Sequence, residues 1–173
     1  GIRMEVLDNI PPLQMNEESL GYALRGIELR EGQAEALAIV ADADRAQIVA
    51  PTGWGKSFTI RLSAAMFPEA RIVVATPSVA ICSKMYRELL RLLPCVGMVG
   101  GGKDEQNNRI LVCTYASLEK ACLRRPDILF IDECHGAAAA DMSEVLLSLI
   151  DVRKIFGFTA TPVGRSDGAE LVT

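Results

Sequence analysis

"QIVAPTGWGKSFTIRLSAAM", residues 47–66, is the stretch from which the fold is read. An apolar run, "QIVA" at 47–50, predicts a short strand, and Lys56 to Met66 predicts a helix. Between them lies "APTGWGKS", Ala50 to Ser57. Gly53 and Gly55 allow positive φ and close approach of the backbone to an anion. Successive N–H groups of such a loop, at a helix N-terminus, form a nest for phosphate. In loops of this kind the lysine, here Lys56, reaches the β- and γ-phosphates, and the hydroxyl, here Ser57, ligates magnesium. Thr52, Gly53, Trp54, Gly55, Lys56, Ser57 and Phe58 are the expected nucleotide-binding residues. Ala50 stands where the common pattern has glycine, and the competing reading is a plain glycine turn before Lys-Ser. Trp54, the single tryptophan, is too large for the nest. It is expected to project outward, over the loop or toward a second domain, or to pack on the surface.

Outward from this loop, the chain alternates. Glu31 to Ala43 is rich in helix formers; "RIVVAT" at 71–76 reads as a strand; Ser78 to Leu93 carries Val79, Cys82, Met85, Leu89 and Leu92 at helical spacing. "CVGMVG", "RILVCT", "DILFID" and "KIFGFT" read as further strands, with a polar loop to Asn108, a short helix at Tyr115–Cys122 and a helix at 137–150 between them. Strands that are continuous apolar runs, alternating with helices, predict an α/β fold with a mostly parallel sheet covered on both faces. Residues 1–28, turn-rich and acidic, read as an N-terminal extension or linker, and 29–173 as one domain.

Composition sets the bounds. A chain of 173 residues, half of them hydrophobic, suits one domain with a real core. No apolar run approaches the roughly 18 residues of a membrane span, and the N-terminus lacks a signal-peptide pattern. The start at Gly1 and the ending "RSDGAELVT" read as those of a trimmed chain. Five cysteines, none paired at metal-ligand spacing, and one histidine argue against a disulfide framework or a zinc site. They read as buried thiols of a reducing compartment, cytoplasmic or nuclear. The net charge of −4 excludes a protein that coats DNA by charge alone. Any nucleic-acid surface is therefore local or completed by another domain.

A magnesium-dependent phosphate site needs a carboxylate for the metal and a base for the attacking water. "ILFIDECH" offers both: Asp132 ends an apolar strand, and Glu133 follows it. The catalytic set read here is Lys56, Asp132 and Glu133, with Ser57 and Asp132 on magnesium. A solvated Asp-Glu pair at a strand end is the alternative.

"DECH" after "APTGWGKS", with "TATP" at 159–162, resembles the DExH side of superfamily two helicases and translocases over about residues 29–168. The resemblance implies a RecA-like motor domain that couples hydrolysis of ATP, with Mg2+, to movement on nucleic acid, DNA before RNA. It implies that Gln33 of "LREGQ" reads adenine. It places Pro77, Ser78, Lys84, Gly101, Thr114 and Ser117 on the nucleic-acid backbone, with Lys84 where many relatives have Gln. His135, Thr159 and Thr161 are implied to link the two sites. "RSDG" at 165–168 resembles the subgroup of duplex-DNA translocases and phage recombination helicases, with Gly164 as one extra residue. Relatives carry a second RecA-like domain that supplies arginine fingers. Nothing after Thr161 matches it, so that domain is an expected partner, and no membrane is. Another class of nucleotide-hydrolysing protein, or a nucleotide-binding pseudo-enzyme serving as a partner-binding module, is the alternative. The guanine-reading Asn-Lys-x-Asp segment and the transporter Ser-Gly-Gly-Gln signature are both absent.

Overall fold

The structure, a computed structural model, describes residues 11–134, 148–149 and 151–160. His135, Thr161, "RSDG" and most of the helix expected at 137–150 lie outside the described residues. Seven strands form one sheet: β1 (Arg45–Val49), β2 (Ile72–Thr76), β3 (Val96–Gly100), β4 (Lys103–Asp104), β5 (Ile110–Thr114), β6 (Ile128–Ile131) and β7 (Lys154–Thr159). Their order is β1-β7-β6-β2-β5-β3-β4. Every pairing is parallel except β3 with β4. The expected α/β architecture with a mostly parallel sheet is the observed one. Its strands are apolar throughout because both faces are covered: β2, β5 and β6 are buried along their whole length.

Alternate strand residues feed two cores. Ile72, Val74, Val112, Phe130, Phe156 and Phe158 pack with the helices α2 (Gln33–Asp42), α3 (Lys56–Met66) and α4 (Val79–Leu90) on one face. Phe130 anchors that layer, its ring 5.6 Å from Phe156 and 5.5 Å from Phe158. Val73, Ala75, Leu111, Leu129 and Ile131 pack on the other face with Leu118 and Ala121 of α5 (Leu118–Ala121). Among the described residues no helix is long and apolar enough to cross a membrane.

Several local expectations differ from the structure. The turn-rich start contains a helix, α1 (Glu17–Ala23). Asn16 caps it by accepting the Ser19 N–H at 2.8 Å, and Glu17 and Glu18 favour its positive end. The Asn16 N–H donates to the Met66 carbonyl at 2.8 Å, and Leu20 and Leu24 pack on the first core. The polar loop after β3 holds β4, which blunts that edge of the sheet with Lys103 and Asp104. The segment expected as a helix from Tyr115 is a 3-10 turn at Tyr115–Ser117 leading into α5. Cys82, Cys113 and Cys122 are buried as expected, but Cys95 is exposed because it sits in the turn before β3, and Cys134 is half-buried.

Candidate nucleotide site and nucleic-acid surface

All the parallel strands end at one edge, where ligands of open α/β sheets bind. The phosphate loop follows β1, Asp132 follows β6, and β7, ending at Thr159, lies between those two strands. The Ala50 N–H donates to the Thr159 carbonyl at 2.7 Å, tying the start of the loop to the end of β7.

The loop is held from outside. Arg30 Nη1 donates to the Gly53 carbonyl at 3.0 Å, and Gln33 Nε2 donates to the Trp54 carbonyl at 3.0 Å. With those carbonyls turned away, the loop presents N–H groups to the cleft. Gly55, at φ 107°, is the N-cap of α3 and has no side chain to cap it. The N–H groups of Lys56, Ser57 and Phe58 have no acceptor within the helix. They meet the partial positive charge of the helix end, which suits a phosphate.

Lys56 Nζ lies 2.7 Å from Asp132 Oδ1 and 3.3 Å from Glu133 Oε1. Burial disfavours its ammonium. The hydrogen bonds and charges of Asp132 and Glu133 together outweigh burial and hold Lys56 above the ordinary lysine range. The two carboxylates thus already hold a cation, so the donor set of Ser57, Asp132 and Glu133 fits magnesium beside a phosphate. Glu133, at φ 52°, is the one non-glycine residue with positive φ among the described residues. Its N–H donates to Asp132 Oδ1 at 3.1 Å. The Tyr115 hydroxyl donates to the Asp132 carbonyl and to the Glu133 carbonyl, the latter at 3.1 Å. Burial first, then the charges around it, push the Tyr115 hydroxyl above its ordinary range, so it remains a donor.

A cleft of about 420 Å³ opens over the loop, lined by Thr52, Gly53, Gly55, Lys56, Ser57, Asp132 and Glu133. Ile81, Lys84, Met85 and Glu88 of α4 close its far side. Their spacing is one helical face. Lys84, expected on the nucleic-acid backbone, therefore lies on the nucleotide cleft, because Pro77 and Ser78 precede the helix whereas Lys84 is a turn and a half along it. Gln33, expected to read adenine, is 3% exposed. Its Oε1 accepts the Arg30 N–H at 2.9 Å while its Nε2 holds the Trp54 carbonyl, so its amide clamps the loop. Phe58 packs partly on the core. Trp54 folds back toward α2: its Nε1 donates to the Glu31 carbonyl at 3.2 Å, and its ring lies over Gly32.

A second cluster forms at the ends of β2, β3 and β5. Thr76 and Thr114 are register partners. Thr114 Oγ1 donates to Ser117 Oγ at 3.1 Å. A Cβ on Gly100 would lie 2.9 Å from Thr114 Oγ1 and 3.0 Å from Ser117 Oγ, and one on Gly101 would lie 2.8 Å from Val79 Cγ1. Ser78, the N-cap of α4, accepts the Ile81 N–H at 3.3 Å. The structure thus brings together Pro77, Ser78, Gly101, Thr114 and Ser117, and separates Lys84 from them. Arg30, Tyr115 and the cleft-facing stripe of α4 were not singled out from the sequence. The stripe carries a signal there, the spacing of Ile81, Lys84, Met85 and Glu88. Tyr115 carries none without the strand order.

Fold and site define a RecA-like motor domain. Residues 26–164 match the family described as "Type III restriction enzyme, res subunit". The chain belongs to that family, and its fold is that of the N-terminal RecA-like domain of superfamily two helicases and translocases. It is 31% identical over 147 residues to the DNA 3'-5' translocase XPB2 of Sulfurisphaera tokodaii, a match covering 82% of the chain and 32% of that relative. The UvsW helicase of bacteriophage T4 shares the fold, with a TM-score of 0.71 and 20% identity over 90% of this chain and 65% of that one. A second T4 UvsW structure matches at TM-score 0.66 and 20% identity, covering 86% and 36%. The chain thus spans about a third of its curated relative. Membership of the family implies use of ATP.

Proposed function

We propose that the protein carrying this domain hydrolyses ATP to move along DNA, with Lys56, Asp132 and Glu133 at the reacting phosphate. One observation carries the reading: a lysine ammonium held between two carboxylates at an uncapped helix N-terminus. On nucleotide binding, Lys56 turns from the carboxylates to the β- and γ-phosphates, and the N–H groups of residues 55–58 bind the β-phosphate. Ser57 and Asp132 would hold magnesium, which when bound would supply positive charge beside the transferred phosphoryl group. Glu133 orients the attacking water and accepts its proton. Gln33 takes part by fixing the loop, and its second amide hydrogen remains for the adenine edge. Lys84 serves the nucleotide's phosphates from the opposite wall.

DNA is favoured over RNA as the track by the likeness to XPB2, a DNA 3'-5' translocase. Pro77, Ser78, Gly101, Thr114 and Ser117 contact its backbone, neutral donors that suit an acidic domain. A second RecA-like domain supplies arginines to the γ-phosphate and the rest of the track. His135, Thr159 and Thr161 relay between the sites. The test is Glu133→Gln in the full-length protein, which keeps ATP affinity but loses about 10²–10⁴ of the turnover, the range of a general base. Lys56→Ala weakens nucleotide binding itself. Near-normal turnover by Glu133→Gln would remove Glu133 as the base.

A further inference from the structure

We infer that Tyr115 is a positioning residue that couples the DNA surface to the catalytic carboxylate Glu133. The inference rests on the function proposed above and deepens it. Its geometry is independent of that reading. Tyr115 begins a single 3-10 turn whose N-cap is Thr114 and whose last residue is Ser117, the two hydroxyls proposed to bind the DNA backbone. From there its own hydroxyl reaches the carbonyls of Asp132 and Glu133. The strand order puts β2 between β5 and β6, so this side chain bridges from the end of one strand, past its neighbour, to the turn after the next.

The recipient of the bond is unusual. Glu133 sits in the left-handed region, which a non-glycine residue holds only where its surroundings enforce it. Among the contacts that hold it are the Glu133 N–H to Asp132 Oδ1, the Lys56 ammonium on its carboxylate, and the Tyr115 hydroxyl on both carbonyls. The Asp132 N–H is fixed separately, to Ala75 of β2 at 2.8 Å. The Cys134 N–H is fixed likewise, to Phe158 of β7 at 2.9 Å, so the turn is anchored on both sides of Glu133, and Tyr115 holds the peptide carbonyls between those anchors. A backbone phosphate drawn to Thr114 and Ser117 shifts the 3-10 turn. Tyr115, rigid and with one polar end, carries that shift to the Glu133 carbonyl and re-aims its carboxylate toward water. The hydroxyls of Thr114 and Ser117 bond each other, and it is the Tyr115 hydroxyl that contacts the Asp132–Glu133 turn.

The experiment uses the full-length protein with a tailed DNA duplex as probe, and compares wild type, Tyr115→Phe, Glu133→Gln and the double variant. Tyr115→Phe keeps the ring and removes the hydroxyl. The expected result is nucleotide and DNA affinities within about twofold of wild type, with DNA-stimulated kcat lowered about ten- to a hundredfold, the cost of a misplaced group. The basal rate falls less, so the stimulation ratio drops. In the Glu133→Gln background, Tyr115→Phe adds no further loss, because both act through one group. A merely structural role would lower basal and stimulated rates in proportion and would multiply with Glu133→Gln. Either of those results, or an unchanged stimulation ratio, overturns the inference while leaving the proposed function standing. Wild type that hydrolyses ATP without any response to DNA overturns both.

Discussion

Gly55→Ala tests the clamp on the phosphate loop with a built-in comparison. Gly55 has φ 107°, and a Cβ there would lie 2.7 Å from Gln33 Nε2. Backbone strain of this kind costs about 1–3 kcal/mol. The clash adds to it, because Gln33 must withdraw and give up its bonds to the Trp54 carbonyl and the Arg30 N–H. Each is worth about 0.5–1.5 kcal/mol net. Gly102 has a similar φ of 86°, and a Cβ there would have nothing within 4 Å, so Gly102→Ala bears the strain alone. Gly55→Ala should therefore be less stable than Gly102→Ala by about 1–3 kcal/mol. In urea, with a slope of about 2 kcal/mol/M, that separates the midpoints by about 0.5–1.5 M. The assay is equilibrium unfolding followed by Trp54 emission. Adding Gln33→Ala removes the obstacle, and on that background the two alanine variants should lose equal stability. Coincident midpoints for Gly55→Ala and Gly102→Ala in the parent protein would refute the clamp.

Magnesium and ATP should shift the emission of Trp54, whose indole bridges the loop to Glu31, and the shift should vanish in Lys56→Ala at the same concentration; bound nucleotide by calorimetry with flat emission would show the loop preformed. Lys84→Ala should raise the dissociation constant for ATP about two- to fivefold, the size of an exposed charge contact. It should leave the salt slope of DNA binding intact, whereas a slope reduced by about one would return Lys84 to the track. Because its carboxylate partners hold Lys56 above its unfolded value of 10.5, that pair stabilises the fold below pH 10.5 and is lost as pH rises through the folded value. Wild type should therefore lose stability more steeply than Lys56→Met above pH 10.5, and parallel melting curves would sink the pairing.

The parallel sheet was legible because "RIVVAT", "RILVCT" and "DILFID" are apolar without alternation, a pattern only a doubly covered strand tolerates. The meeting of Lys56 with Asp132 and Glu133 was legible because both stretches follow strands of one parallel sheet. What escaped depends on neighbours distant in sequence. Lys84 reads as one base on a helix until the helix is turned against the loop, when its face follows from Ile81, Met85 and Glu88. The clamping role of Gln33 is not legible until the fold brings the Trp54 carbonyl and the Arg30 N–H to its amide. α1 was missed because its signal is one capping residue and two acids, and its stability comes from Leu20 and Leu24 on the core.

The place of β7 has a consequence for how the domain is made. β1, the strand that carries the phosphate loop, pairs among the described residues with β7 alone. Val49 meets Thr159, and Ala50 is tied to the same residue, so the strand leading into the loop finds its partner only once the chain has been made through Thr159. Until then β2, β5, β3 and β6 can assemble among themselves, while β1 waits as an unpaired edge. The nucleotide cleft is consequently completed only once β7 is in place, because the strand that carries the phosphate loop joins the rest of the sheet through it.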